Sequence, residues 1–236
     1  MALIFTGGDY GEGTMHILDT LGARGIRASF FVTGDYIAKP EYHVHLRRMV
    51  AEGHYLGPHS DKHLLYCAWE DRSRTLVTEA EFKQDLRANI DALQRFGAMA
   101  GDGPIYFIPP YEWFNADQVR WATDMGVVLF NFTPGSGSNR DYMPESHARF
   151  VDSQTILRDI LACERKDPHG FNGFLLLLHL GAARQDKMFL LLDPLLDELI
   201  ARGYAFARVD ELLRLPAAGS QPHERPTGCA SRLGLH

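Results

Sequence analysis

The chain has 236 residues, with 24 Lys and Arg against 30 Asp and Glu, and a formal net charge of −6 at pH 7. Hydrophobic residues make up 45% and charged residues 23%, the balance of an ordinary globular protein with enough length for one large core. An acidic chain without a clustered basic surplus argues against nucleic acid as a partner, and no apolar run reaches membrane-spanning length, the longest being residues 174–178.

Residues 2–6 (Ala-Leu-Ile-Phe-Thr) are a short apolar run that stops at Gly7-Gly8, the pattern of a buried strand ending in a tight loop. Asp9 follows, then Glu12; a turn aspartate bonded to its own backbone is the ordinary reading of Asp9. Thr14 caps a helix expected to run to about Ala23, and residues 27–33 read as a second buried strand. Pro40 precedes a helix over residues 41–52, with Val44, Met49 and Val50 on its apolar side. A short strand at residues 54–56 then meets Gly57-Pro58 and the stretch His59-Ser60-Asp61-Lys62-His63. The four-residue spacing places both imidazoles on one side of a helical turn. Such a pair supplies two of the three protein ligands of an open zinc site, although histidines at this spacing also occur on helix surfaces without any metal.

Residues 71–74 read as a solvated charged loop. Thr78 with Glu81 forms a capping box, and Phe82, Leu86, Ile90 and Leu93 follow at helical spacing to about Phe96. A strand at residues 105–108 is closed by Pro109-Pro110 and followed by Tyr111 and Glu112, after which Asn115 caps a helix to about Met125. Residues 127–132 are the next strand and 133–142 a Gly-rich polar loop. A helix over 153–166 precedes a strand at 173–178 ending in His179-Leu180-Gly181. Residues 188–202 form a helix with a kink at Pro194, and 205–209 a last strand, with Asp210 opening a short helix. From Pro216 the composition loses its periodicity, giving one domain over 1–215 and a disordered tail over 216–236. Cys67, Cys163 and Cys229 are too scattered for a disulfide framework or a thiolate metal site. The chain opens directly with a strand; as encoded it has no signal peptide and reads as cytoplasmic, unless a leader or preceding domain has been removed.

Strands and helices alternate through most of the chain, which implies an α/β fold with a parallel barrel or sheet. Polar residues recur at expected strand ends, at Asp9, His59, Tyr111 and His179, where such folds place their sites.

The segments Ala28-Ser29-Phe30-Phe31-Val32-Thr33-Gly34, Glu52-Gly53-His54 through His63, Pro109-Pro110-Tyr111 and Leu176-Leu177-Leu178-His179 resemble the polysaccharide deacetylases, carbohydrate esterase family 4, also called the NodB homology domain. The resemblance covers roughly residues 2–213 and implies a distorted parallel (β/α) barrel with about seven strands. It implies a divalent metal, zinc with cobalt or nickel as alternatives, held by Asp9, His59 and His63. His179 would be the general acid, and the backbone N–H of Tyr111 would help hold the oxyanion. Leu176 and Leu178 would line the acetyl pocket. The implied activity is removal of acetyl groups from an N- or O-acetylated oligo- or polysaccharide, by hydrolysis of a non-peptide C–N bond or an acetyl ester. No membrane partner is implied.

Two departures stand out. The family's first motif reads Thr-Phe-Asp-Asp, whose first Asp is the general base; here the chain reads Thr6-Gly7-Gly8-Asp9. The Arg that orients that base is replaced by Ile108. The losses match, because an Arg deprived of its carboxylate would be a costly unpaired buried charge. Glu112 is the first candidate for a substitute base, followed by Glu12 and Asp61, and Asp141 is a candidate to orient His179; each also reads as a solvated loop acid. Trp113 and Tyr142 offer flat faces to a sugar ring or to packing. The alternatives are a pseudoenzyme that binds metal and glycan without turnover, and a hydrolase of another C–N bond on the same scaffold.

Overall fold

The structure, a computed structural model, describes residues 1–213; the expected tail at 216–236 lies outside them. The six-residue run Ala2–Gly7 (β1) is buried at every position and forms the centre of the sheet. It is flanked by Ser29–Val32 (β2), Tyr55–Pro58 (β3) and, later in the chain, Leu175–His179 (β6), in the order β3-β2-β1-β6, all parallel. Ile105–Phe107 (β4) and Val127–Leu129 (β5) pair parallel as a separate two-stranded sheet.

Helices follow the strands, as the patterning predicts: Thr14–Gly22 (α1), Gly34–Ile37 (α2), His43–Ala51 (α3), Glu79–Gln94 (α4), Ala116–Asp124 (α5), Ser153–Lys166 (α6), Leu192–Ala201 (α7) and Val209–Leu212 (α8). The capping box at α4 is present, with Thr78 Oγ1 accepting from the Glu81 N–H and the Glu81 carboxylate accepting from Thr78. Asn115 caps α5, helped by Gln118. Asp152 caps α6 by accepting from the Thr155 N–H at 2.8 Å.

Side chains alternate across each strand and so separate into two cores. Ala2, Ile4, Phe31, Tyr55, Ile108 and Leu177 pack inward against one another. Leu3, Phe5, Phe30, Val32, Leu176 and Leu178 pack outward against helices such as α1 and α7. The two sheets are bridged at two seams by isolated bonds instead of continuous ladders. At one, the Tyr106 N–H donates to the Tyr55 hydroxyl at 2.7 Å. At the other, Thr133 N–H donates to Leu175 O, and Leu175 N–H donates to Thr133 Oγ1, both at 3.0 Å. The result is the distorted parallel barrel.

Three expectations are corrected. Residues 205–209 are not a strand: the Met1 ammonium donates to Ala205 O and Ala207 N–H donates to Met1 O, both at 3.0 Å, before the chain turns into α8. The helix at 188–202 breaks into a 3-10 turn, Met188–Leu191, and α7; Pro194 lies in the first turn of α7, where its missing N–H removes no intrahelical bond. The His59–His63 stretch is a loop after β3, not a helical turn.

Candidate active site

The carboxyl ends of the strands open into a cavity of about 860 Å³ that Asp9, His59, His63, Tyr111, Glu112 and His179 all line. These six residues singled out from the sequence thus share one cavity, which recruits helpers the sequence did not reveal.

His59 and His63 approach through loop geometry. Ser60 at φ 73° and His63 at φ 52° bend the chain so that the rings lie 5.1 Å apart. Two residues of α4 hold that bend: Asn89 Oδ1 accepts the His59 N–H at 2.9 Å, and the buried Asp85 carboxylate accepts from Ser60 Oγ at 2.6 Å and from the N–H groups of Asp61 and Lys62 at 3.0 and 2.8 Å. His59 Nδ1 donates to Ile108 O at 2.8 Å, which leaves Nε2 with its lone pair. Burial, reinforced by the charge of His63, pushes His59 well below the usual imidazole range. Burial, then the charge of His179, takes His63 down to about 4. Both rings are therefore neutral at pH 7, the state in which imidazole ligates a metal.

The third implied ligand is not gathered with the other two. Asp9 is exposed at the cavity edge, with the Lys39 ammonium donating to its backbone carbonyl. Among the described residues, no three His, Cys, Asp or Glu side chains are gathered closely enough to hold a metal ion. The two imidazoles fit such an ion in protonation state, and His59 also in having Nε2 free; Asp9 shares their cavity without joining them.

On the opposite strand, His179 is anchored by Asp141. His179 Nδ1 donates to Asp141 Oδ1 at 2.6 Å, and the His179 N–H donates to Asp141 Oδ2 at 2.9 Å. Burial alone would lower the His179 pKa, but the charge and hydrogen bond of Asp141, and then the charge of Glu112, raise it. Tyr111 at φ 58° and Glu112 at φ 52° are consecutive left-handed residues, a strained turn that brings Glu112 to the cavity. Its carbonyl accepts from Asn131 Nδ2 at 3.0 Å. Burial raises the Glu112 carboxyl to about 7, against the lowering pull of His179.

The other acids are occupied elsewhere. Glu12 pairs with Lys187 at 2.5 Å and accepts the Ala182 N–H at 3.2 Å; Asp61 pairs with Lys62 at 3.1 Å; neither lines the cavity. Trp113 does not line it either: its ring stacks on Trp69 and beneath the Arg72 guanidinium, and Nε1 donates to Ala68 O. Trp69, which carried no sequence signal, lies at the rim with Tyr111, and Tyr142 lies near His179 at 5.2 Å between ring centres. Leu176 and Leu178 point to the outer core, so they form no acetyl pocket.

The loop after β1 is tightly packed except at one position. A Cβ at Gly7 would come within 2.6 Å of Leu180 Cδ1, at Gly11 within 2.5 Å of Tyr36, and at Gly13 within 2.8 Å of Leu180 O. At Gly8 the nearest atoms are Thr33 Oγ1 and Cγ2 at 3.6 and 3.7 Å, ordinary contacts. Ile108 is fully buried in the inner core, with no charge for a Gly8 substituent to meet.

The polysaccharide deacetylase family model matches residues 1–130. A peptidoglycan-N-acetylglucosamine deacetylase of Bacillus cereus is 28% identical over 134 residues, 56% of this chain and 44% of that protein, so the chain spans less than half the length of that curated relative. A solved Bc1960 peptidoglycan N-acetylglucosamine deacetylase superimposes with a TM-score of 0.69 at 22% identity, covering 91% of this chain and 88% of that one. BA3943 from Bacillus anthracis, described as a CE4 family pseudoenzyme, gives 0.67 at 18% identity, covering 89% and 64%. With the matched model extending over more than half of the chain, from β1 through the His59–His63 loop to β5, this protein belongs to the polysaccharide deacetylase family.

Proposed function

We propose that this protein is a metal-dependent deacetylase that hydrolyses acetyl groups from an N- or O-acetylated carbohydrate. The observation that carries the reading is His179, anchored by Asp141 and lining one cavity with Glu112 and two neutral imidazoles. His59 and His63, with Asp9 as the third donor, would hold the cation, which when bound polarises the acyl carbonyl and the attacking water.

The remaining roles fall to the chain's own side chains. Glu112, poised near 7, takes the proton from the attacking water in place of the carboxylate missing at Gly8. His179, its pKa raised by the charge and hydrogen bond of Asp141 against the lowering by burial, gives its proton to the departing nitrogen or oxygen. The backbone N–H of Tyr111 is assigned to the oxyanion. Tyr111, Tyr142 and Trp69, each about half exposed, offer flat faces to the sugar.

Acetate release from a panel of acetylated sugars, with zinc or cobalt added, tests the reading. Wild type should turn over at least one of them, and His179→Ala and Glu112→Ala should lose roughly 10²-fold or more. Metal content measured in parallel tests the ligands: stoichiometric zinc in His59→Ala would refute their assignment. A second reading, a pseudoenzyme that binds metal and glycan, is favoured by the bare Gly8 and by Asp9 standing apart from the imidazoles. Tight metal binding with no turnover on any substrate would decide for it.

A further inference from the structure

His179 and Asp141 come from different parts of the chain: His179 ends β6, and Asp141 lies in the 3-10 turn Ser138–Tyr142. Among the described residues the Asp141 carboxylate accepts from His179 alone, through the ring and the backbone N–H. Both bonds survive only if the turn and the end of β6 keep their relative position.

Arg184, in the loop after β6, fastens the two. Its side chain is fully buried, and Nη1 donates to Arg140 O at 3.4 Å, the carbonyl of the peptide that leads into Asp141. Nη2 donates to Val151 O at 2.8 Å and to Ser153 Oγ at 3.4 Å, further along the stretch between that turn and α6. Asp186 Oδ2 meets the charge at 2.8 Å, and the guanidinium lies over the Phe150 ring at 4.6 Å. Bonds also run the other way: Asp186 Oδ2 accepts the Ser153 N–H at 2.6 Å, and Glu145 accepts the N–H groups of Gln185 and Asp186 at 2.9 and 3.0 Å. Arg184 bonds to neither side chain of the pair, although all three line one small cavity of about 10 Å³. Its influence on them therefore runs through the backbone of the turn. A buried ion pair is a weak source of stability, since apolar packing of the same shape often serves as well. What a guanidinium adds is direction, a rigid planar fork that reaches several acceptors at once.

We propose that Arg184 is a positioning residue for the catalytic pair: it fixes the Arg140–Asp141 peptide against the loop after β6 and so keeps the Asp141 carboxylate on both His179 donors. The word catalytic rests on the deacetylase reading of His179; the positioning rests on the bonds alone.

Two variants test it. Arg184→Met keeps a long unbranched side chain over Phe150 and removes every donor, whereas Arg184→Lys keeps the charge beside Asp186 and loses the fork. The His179 ring is titrated by NMR in metal-free protein carrying isotope-labelled histidine, its signal assigned by its loss in His179→Ala. In Arg184→Met the His179 pKa should fall, because burial then acts against a weaker pull from Asp141. Arg184→Lys should lie between that variant and wild type. For acetate release by zinc-loaded protein, kcat should drop roughly 10- to 100-fold in Arg184→Met with KM nearly unchanged, and the alkaline limb should move to lower pH. Arg24→Met, an equal loss of charge that unties Asp193 and Asp197 of α7, should lower Tm and leave the His179 titration as in wild type. A His179 titration in Arg184→Met that coincides with wild type overturns the proposal, whatever the Tm. If that variant does not fold, the same coincidence in Arg184→Lys overturns it. A lowered His179 pKa, in a protein whose wild type releases acetate from no substrate, refutes the deacetylase reading and keeps the positioning role. Acetate release with an unmoved His179 does the reverse.

Discussion

Replacing Glu112 by Gln should remove a large part of the pH dependence of stability in the metal-free protein. The Glu112 carboxyl is raised from its usual 4.5 to about 7, chiefly by burial. At ~1.4 kcal/mol for each tenfold change in an equilibrium, ionising it in place costs about 3 kcal/mol relative to the unfolded chain. A raised carboxyl contributes stability that is complete below the unfolded value and is lost as pH rises through the folded one. The loss therefore falls between about pH 4.5 and pH 7, and is essentially complete a unit above. For a protein of this length, 3 kcal/mol corresponds to a fall in Tm of roughly 6–12 °C. The assay is thermal unfolding of wild type and Glu112→Gln across that window, with EDTA present so that no cation lowers the carboxyl. His179 contributes a slope of the same sign, because its pKa is also raised, in part by the charge of Glu112. Gln stays neutral throughout, so the difference between the two curves reports Glu112 together with its coupling to His179. Parallel curves would falsify the claim that a buried, protonatable carboxyl occupies the cavity.

Asp141→Asn should lower the pKa of His179 and move the alkaline limb of acetate release to lower pH, so that turnover falls more at pH 8 than at pH 6; a uniform loss at all pH would contradict this. Asp85→Ala leaves three donors of the His59–His63 loop without their acceptor, and should cost about 2–3 kcal/mol in chemical denaturation. The same variant should weaken zinc roughly 10- to 100-fold in a chelator competition, and unchanged affinity would mean that the loop is not the metal's support. Gly8→Asp should fold with wild-type Tm within a few degrees, since its Cβ meets only ordinary contacts, and should raise acetate release; a collapse in Tm would show that the position is closed.

Helices and strands were legible because their signals are local. The capping boxes at Thr78 and the apolar spacing of Phe82, Leu86, Ile90 and Leu93 need no tertiary information, and α6 begins and ends where its cap and basic last turn place it. The two polar residues that interrupt the α4 stripe, Asp85 and Asn89, are also visible in the sequence. They are one helical turn apart on a buried face, and buried polar groups require partners. What the sequence withholds is the identity of those partners, the loop bonds around His59. The His-x-x-x-His spacing misleads for a related reason: four residues suit a helical turn, whereas Ser60 in the left-handed region brings the rings together by a different path. Trp69 and Arg184 carry no pattern at all, because loop residues acquire a role only from the walls that surround them.

The glycines after β1 also set how this site can change over generations. Gly11 and Gly13 face the Tyr36 and Tyr42 rings, the Phe189 ring and the Leu180 carbonyl so closely that a side chain there must displace packed structure, and drift at those positions is opposed by the fold. Gly8 has room to spare. Selection on folding is nearly blind there, and only selection on chemistry can hold or replace the residue. A lineage can therefore shed or recover a carboxylate at that one position without passing through an unfolded ancestor.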